Sequence, residues 1–303
     1  MANTLTNTLY TILTNAALEA FTRILTPLMV FAKNYSDAAV ERGDKVKVLF
    51  VPESAVAIDF VPSSGGTAGA GYTRQNVTAT GLDIVINRHK FVSWSMSDTE
   101  LSLNPIVNIE TFGRQTGAKI AEAVLTDIWS LVPVVANYPL NVVVGPANAF
   151  DSDSLIDIKE VCDLNHWSRA GRNVILSSQY FNGLLKDGSL KNAMAYGGPE
   201  AIRRGDIPAL VGFGVYDSTE VPTDVNLVGF ATLPDSILVA MRYLAPQQGN
   251  TYFQAAPVSN EYGFTLGFRD FYDNNLGQRV QVLEANYGFL LGNPNALVRL
   301  VSA

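Results

Sequence analysis

From residue 45 to residue 97 the chain reads as two long extended stretches around a glycine-rich centre. "KVKVLFVPESAVAIDFVP" (45–62) is rich in valine and broken by Pro52, the pattern of a strand with irregularities. "VTATGLDIVINRHKFVSWSMS" (77–97) alternates Leu82, Ile84 and Ile86 with polar positions, as a long strand with one covered face does. Between them "SSGGTAGAGYT" (63–73) holds four glycines and no large apolar residue before Tyr72. The pattern predicts a two-stranded ribbon with a flexible tip. An isolated ribbon is marginal in water, and its open edges invite pairing. Such a ribbon needs a covering surface, and the simplest is another copy of the same chain.

The parts on either side are unlike it and unlike each other. Leu9, Ile12, Leu13, Ala16, Ala17, Ala20, Phe21, Ile24 and Leu25 recur at helical spacing. Asn3, Thr4 or Thr6 is placed to cap this helix, and Pro27 is expected to kink or end it. Its single apolar stripe either docks on the chain's own core or reaches a neighbour, and both readings stay open. A second helix is expected over 105–132, capped by Asn104, opened by Pro105 and stopped by Pro133. One face carries Ile106, Ile109, Gly113, Gly117, Ile120, Ala121, Val124, Ile128 and Leu131 over roughly 40 Å. Gly113 and Gly117 there leave room for another element to approach closely. No pattern of flanking charges supports a coiled coil.

Helical and strand patterns then alternate over 150–250. A helix over "DSDSLIDIKEVCDLNHWSRA" is expected to be capped by Ser152 or Asp153. "RNVILSS" reads as a buried strand, "QYFNGLLKD" and "LKNAMAYGGPEAIRRG" as short helices, and "LVGFGVYDSTEV", "VNLVGFAT" and "SILVAMRYL" as strands. "YGFTLGFRDFYD" and "RVQVLEANYGFLL" close the chain as further strands. The class is α+β with a mixed sheet. No repeat, low-complexity tract or domain linker appears.

Charged residues make up 16% of the 303 residues, against roughly 25% in ordinary soluble domains. So few charges, beside 48% apolar residues, imply that much of the surface ends in protein contacts. A net charge of −7 argues against a dedicated nucleic-acid binder but suits the wall of a container that must not trap its contents. Cys162 is the single cysteine, so no intrachain disulfide forms. The start, "MANTLTNTLYTILTNAALEAF", lacks the basic region of a signal peptide, and no apolar run approaches a membrane span.

Catalytic vocabulary is thin. "GGTAGAG" lacks the Gly-Lys-Ser/Thr that opens a phosphate loop onto a helix. Cys162 and His166 stand four apart on the expected helix and share a face, but zinc needs three or four ligands and His89 is the only other histidine. Asp151, Asp153 and Asp157 lack the glycine and glutamate of a calcium loop, and capping accounts better for the first two. There is no Gly-x-Ser-x-Gly elbow. Arg203, Arg204, Lys186 and Lys191 read as a solvated basic face or an edge for acidic neighbours. The expectation is no enzyme, with no catalytic, cofactor or metal residues.

In order, these parts resemble the tailed-phage major capsid proteins of the Hong Kong 97 type, in particular the coat subunits of podophages. Ala38, Ala39, Gly43, Asp44, Val46 and Pro52 are similar to that family's stretch leading out of the N-terminal arm. The ribbon resembles its extended loop and the 105–132 helix its spine helix. "RNVILSSQYFNGLLKDGSL" with "IPALVGFGVYDSTEVP" resembles its apical domain, and "ANYGFLLGNPNALVRL" its last peripheral strand and ending.

The resemblance implies an arm over 1–44, an extended loop over 45–97 and a peripheral domain with the spine helix over 98–145. It further implies an apical domain over 146–255 and returning peripheral strands over 256–303. It implies self-assembly through pentamers and hexamers into an icosahedral shell around double-stranded DNA, in a virion assembled in the host cytoplasm. A separate scaffolding protein and a portal are the expected partners, with no membrane. Expected contacts between subunits are Gly65, Gly66, Gly69, Gly71, Tyr72 and Arg74 at the loop tip, and Leu9, Ile12, Leu13 and Phe21 on the arm. Residues 51–89 hold no lysine, so the lysine–asparagine crosslink of the founding member is not carried over. An encapsulin-type compartment shares these features, and a soluble α/β enzyme with its site in 150–250 is the rival of another class.

Overall fold

A computed structural model describes residues 5–36, 45–50, 80–97, 109–188, 209–243, 252–259 and 263–303, with Phe60, Thr99 and Ile207 besides. Leu13, Ala17, Phe21, Leu25 and Leu28 line one side of the first helix, α1 (Leu5–Phe31), and all are buried. The helix does not stop at Pro27 as expected. It runs on to Phe31, because Leu28 and Phe31 on the far side of the proline continue the buried stripe. The carbonyl that Pro27 leaves without its usual donor belongs to the exposed Arg23.

A short strand, β1 (Ala32–Asn34), follows, then β2 (Lys45–Phe50), β3 (Thr80–Val85) and β4 (Arg88–Ser97). The second helix, α2, is described over Ile109–Trp129; Asn104 and Pro105 lie outside the described residues. Tight turns from Leu131 N to Ile128 O and from Val132 N to Trp129 O end it ahead of Pro133. On α2, a Cβ added at Gly113 would lie 2.7 Å from Leu13 O, and one at Gly117 2.2 Å from Ala17 O. The close approach expected of these glycines is therefore made, and the element that makes it is the chain's own α1.

The remaining elements are β5 (Asn141–Val144), α3 (Ser152–Leu164), β6 (Asn173–Ser177), α4 (Ser178–Leu185), β7 (Gly214–Ser218), β8 (Leu227–Thr232), β9 (Ile237–Met241), β10 (Tyr252–Ser259), β11 (Thr265–Asp273), β12 (Gln278–Leu291) and β13 (Leu297–Ser302). Asp151, not Ser152 or Asp153, caps α3, with its carboxylate accepting from Ser154 N at 3.0 Å. Asp153 instead sits in the first turn, where the helix dipole favours it.

The described strands form two large sheets and the two-stranded ribbon base β2-β3. The first runs β1-β9-β12-β11-β10, with β4 on the free side of β12; the second runs β5-β13-β8-β6-β7. Alternate residues of β9 face opposite cores. Ile237, Val239 and Met241 join α1 and α2, while Leu238 and Ala240 meet Val46, Val48 and Ile84 of the ribbon base. That is why "ILVAM" is apolar throughout. The second sheet is also covered twice, by Phe230 and Leu297 toward the helices α1 and α2, and by Val228, Val298 and Leu300 toward α3 and α4.

Two expectations need correcting. The long strand of 77–97 is broken at Ile86–Asn87: β3 pairs with β2 in the ribbon, whereas β4 pairs with β12 from Ser97↔Gln278 to Arg88↔Tyr287. The boundary drawn at 255/256 does not follow the sheets. β13, expected among the peripheral return strands, lies inside the second sheet between β5 and β8, and β9, expected in the apical part, belongs to the first. Strand alternation records which side chains are covered, but not which strand lies alongside.

Candidate assembly surfaces

The ribbon-tip residues Gly65, Gly66, Gly69, Gly71, Tyr72 and Arg74 lie outside the described residues, as do Lys191, Arg203 and Arg204. On α1 the side chain of Leu9 is likewise not described, and Ile12 is 41% exposed. Leu13 and Phe21 are corrected: they are buried in the chain's own core against α2, so in this fold they have no surface to offer a neighbour.

At the base of the ribbon a charged cluster ties β4 to α2. Asp127, near the end of α2, receives the Tyr287 hydroxyl at 2.5 Å, Lys90 Nζ at 3.3 Å and Arg88 Nη1 at 3.4 Å. Burial pushes the Asp127 carboxyl up, but the Tyr287 hydroxyl and the Lys90 and Arg88 cations outweigh it and hold the group below its usual value. The same hydrogen bond, added to burial, pushes the Tyr287 hydroxyl up. Arg88 also stacks over Phe289, 4.4 Å from the ring centre. Just beyond, a Cβ on Gly288 would lie 2.2 Å from Val85 O, so the ribbon leaves the sheet by crossing directly over this glycine.

The two faces of the first sheet differ. Lys90, Val92, Trp94 and Met96 of β4 turn toward α2, where Trp94 meets Phe112 edge to face at 4.7 Å. There too Arg279 grips the fully buried Asp270 with a two-pronged contact of 3.0 and 2.6 Å. His89, Phe91, Ser93 and Ser95 point the other way, and Phe91 is 60% exposed. On that outer face the buried Glu284 accepts from Arg269 Nε at 2.7 Å and lies 3.1 Å from His89 Nε2. The outer face thus sets one exposed aromatic ring, Phe91, beside the fixed charges of Glu284 and Arg269.

Groups with chemical potential are spent on structure. Cys162 is fully buried, which pushes its thiol up to about 12 and leaves it inert at neutral pH. His166 is not on the helix face with Cys162, as the spacing predicted. The helix ends at Leu164, and His166 follows in a left-handed turn (φ 56°) that carries it into solvent. Among the described residues no cluster of three or more His, Cys, Asp or Glu is placed to hold a metal ion. The recesses described are open and shallow, and the largest, about 390 Å³, is lined by Ile156, Lys159, Glu160, Asp163 and Leu164 on the outside of α3. Among the described residues no helix is long and apolar enough to cross a membrane.

Comparison by sequence finds no matching family model and no matching curated protein. Comparison by structure does find matches. A structure from Mycobacterium phage Che8 matches with a TM-score of 0.62 at 16% identity, over 89% of this chain and 88% of that one. The capsid structure of Cyanophage P-SCSP1u matches with a TM-score of 0.62 at 12% identity, over 90% and 86%. The chain has the α+β fold of tailed-phage capsid proteins. A virus-like particle from Pyrococcus furiosus has the same fold, with a TM-score of 0.57 at 11% identity over 95% of this chain and 97% of that one. Against this capsid fold, the sequence reading had the order of parts but missed three charged sets: Asp127 with its donors, Asp270–Arg279 and Glu284–Arg269. Their only trace is a charge inside a strand or helix pattern, as in "RVQVLEANY".

Proposed function

We propose that this chain is a structural shell subunit, the major capsid protein of a tailed bacteriophage, with no catalytic role. The observation that carries the reading is the likeness to a phage capsid over 90% of this chain and 86% of its counterpart. The low charge content and the exposed Phe91 on the outer face of the first sheet support the reading. Copies would close into pentamers and hexamers by head-to-tail contacts, the kind that a rotation closes into a ring. Each contact can be weak, because closure makes the contacts reinforce one another. The glycine-rich segment 63–73 would let one sequence meet the differing neighbours of the two rings. The shell would enclose DNA without reading it, in a virion assembled in the host cytoplasm with a separate scaffolding protein and a portal.

The likeness to the Pyrococcus furiosus virus-like particle favours a second reading, a compartment shell that holds protein cargo. Negative-stain electron microscopy of the purified chain, alone and with candidate scaffolding proteins, tests both. Rings or uniform closed shells are expected. Nuclease-protected DNA inside particles made in infected cells supports the phage reading, and enclosed protein supports the compartment. A stable monomer under every condition overturns shell formation and turns attention to a pocket enzyme.

A further inference from the structure

The two ends of the second sheet carry opposite chemistry. Where β6 and β7 begin, Lys159 of α3 joins Arg169 and Arg172 around an open recess of about 270 Å³, with Val211 and Gly212 completing its lining. Arg172 is committed. It is buried, it pairs with Asp163 at 2.6 Å, and it donates to the carbonyls of Ser168 and Trp167. Lys159 and Arg169 form no ion pair among the described residues, so of the described groups three cations meet two carboxylates, Asp163 and Glu160, and one positive charge is left over. Leu164, 71% exposed, lies in the adjoining recess that shares Lys159, and Glu160 flanks it there.

At the opposite end, where β7 stops and β8 starts, the chemistry reverses. Asp217 and Asp224 are exposed and form no ion pair among the described residues, and Val225 beside them is 63% exposed. Each end also holds a valine in the left-handed region, Val211 (φ 55°) at one and Val225 (φ 57°) at the other. β-Branched residues rarely adopt that conformation, and strain of this kind gathers at functional surfaces. The ends are about 17 Å apart along strands of this length.

We propose that the Lys159–Arg169 recess of one copy receives the Asp224–Val225 tip of the next, as a head-to-tail contact that closes copies of this chain into a ring. The inference rests on the shell reading above. Its geometry suits a heterologous contact: the two complementary halves sit at opposite ends of one chain, so copies stacked end to end in one direction bring opposite charges together.

The test uses the full chain under conditions in which the wild type forms rings or shells, read by sedimentation velocity and electron microscopy. Two half-variants are made, Lys159→Glu with Arg169→Glu, and Asp217→Lys with Asp224→Lys, together with their combination. Each half-variant is expected to keep the wild-type circular dichroism and melting curve while its assembled fraction drops at least about tenfold, the scale of a lost interface charge pair. The combination restores opposite charges across the contact and is expected to recover most of the assembly. Half-variants that assemble like the wild type, or a combination no better than its worse half, overturn this contact and leave the shell reading standing. A wild-type chain that assembles under no condition overturns the shell reading and this contact with it.

Discussion

At Gly117 one missing methyl group sets how closely the two long helices pack. A Cβ there would lie 2.2 Å from the Ala17 carbonyl oxygen, and the obstacle is backbone, which cannot rotate away. Gly117→Ala gains about 1 kcal/mol of helix propensity but forces the helices apart at a cost of about 1–3 kcal/mol or more. Net destabilisation in a urea melt is expected, and a more stable variant would contradict the packing. Asp127 gives a prediction in pH. Its carboxyl is held below the usual value, so the stability it contributes is complete above that value and lost as pH falls through the lowered one. Asp127→Asn should cost about 1–3 kcal/mol at neutral pH and flatten the acid limb of a stability–pH curve below about pH 4.

Among the elements, the ribbon base depends on Gly288. Its missing side chain is the space over which Val85 and Ile86 cross the sheet. Gly288→Ala should displace the base of the ribbon from Leu238 and Leu290, which it otherwise covers. A lowered melting temperature is expected, with a larger loss of assembly than the loss of stability explains. Gly81→Ala is the control in the same ribbon, because nothing lies within 4 Å of its added methyl; it should leave both readouts nearly unchanged. The helices α1 and α2 meet the second sheet at an aromatic triangle. Trp129 lies 5.7 Å from Phe31 and 5.9 Å from Phe230, all three fully buried. Trp129→Ala should cost about 3–5 kcal/mol, measured as a shift of the urea midpoint.

For the whole molecule, folding and assembly should separate. The two sheets and α1 and α2 close a core within one chain, and the glycine-rich segment 63–73 lies outside the described residues. Deleting 63–73 should therefore leave a soluble, folded subunit that no longer forms shells. Normal particles from that deletion would count against a role for the tip in assembly.

Local chemistry alone marked the two long helices and most of the described strands, though not β1, β5 or β10. Periodicity in "TLYTILTNAALEAF" and "IAEAVLTDIW" marks buried helix faces, and Gly113 and Gly117 announce a close approach. Only the tertiary structure decided which surface covers each face. Leu82, Ile84 and Ile86 share parity with Val92, Trp94 and Met96, so nothing in the alternation shows that the strand changes partners at Ile86–Asn87. Leu13 and Phe21 look the same in sequence whether they meet α2 or a neighbour. The place of β13 between β5 and β8 joins segments far apart in the chain. Asp127 reads as one more polar residue at a helix end until β4 and β12 bring Arg88, Lys90 and Tyr287 to it. The physical reason is common to all four: side-chain period encodes which positions leave water, whereas the identity of the covering partner is a long-range contact that no local pattern specifies.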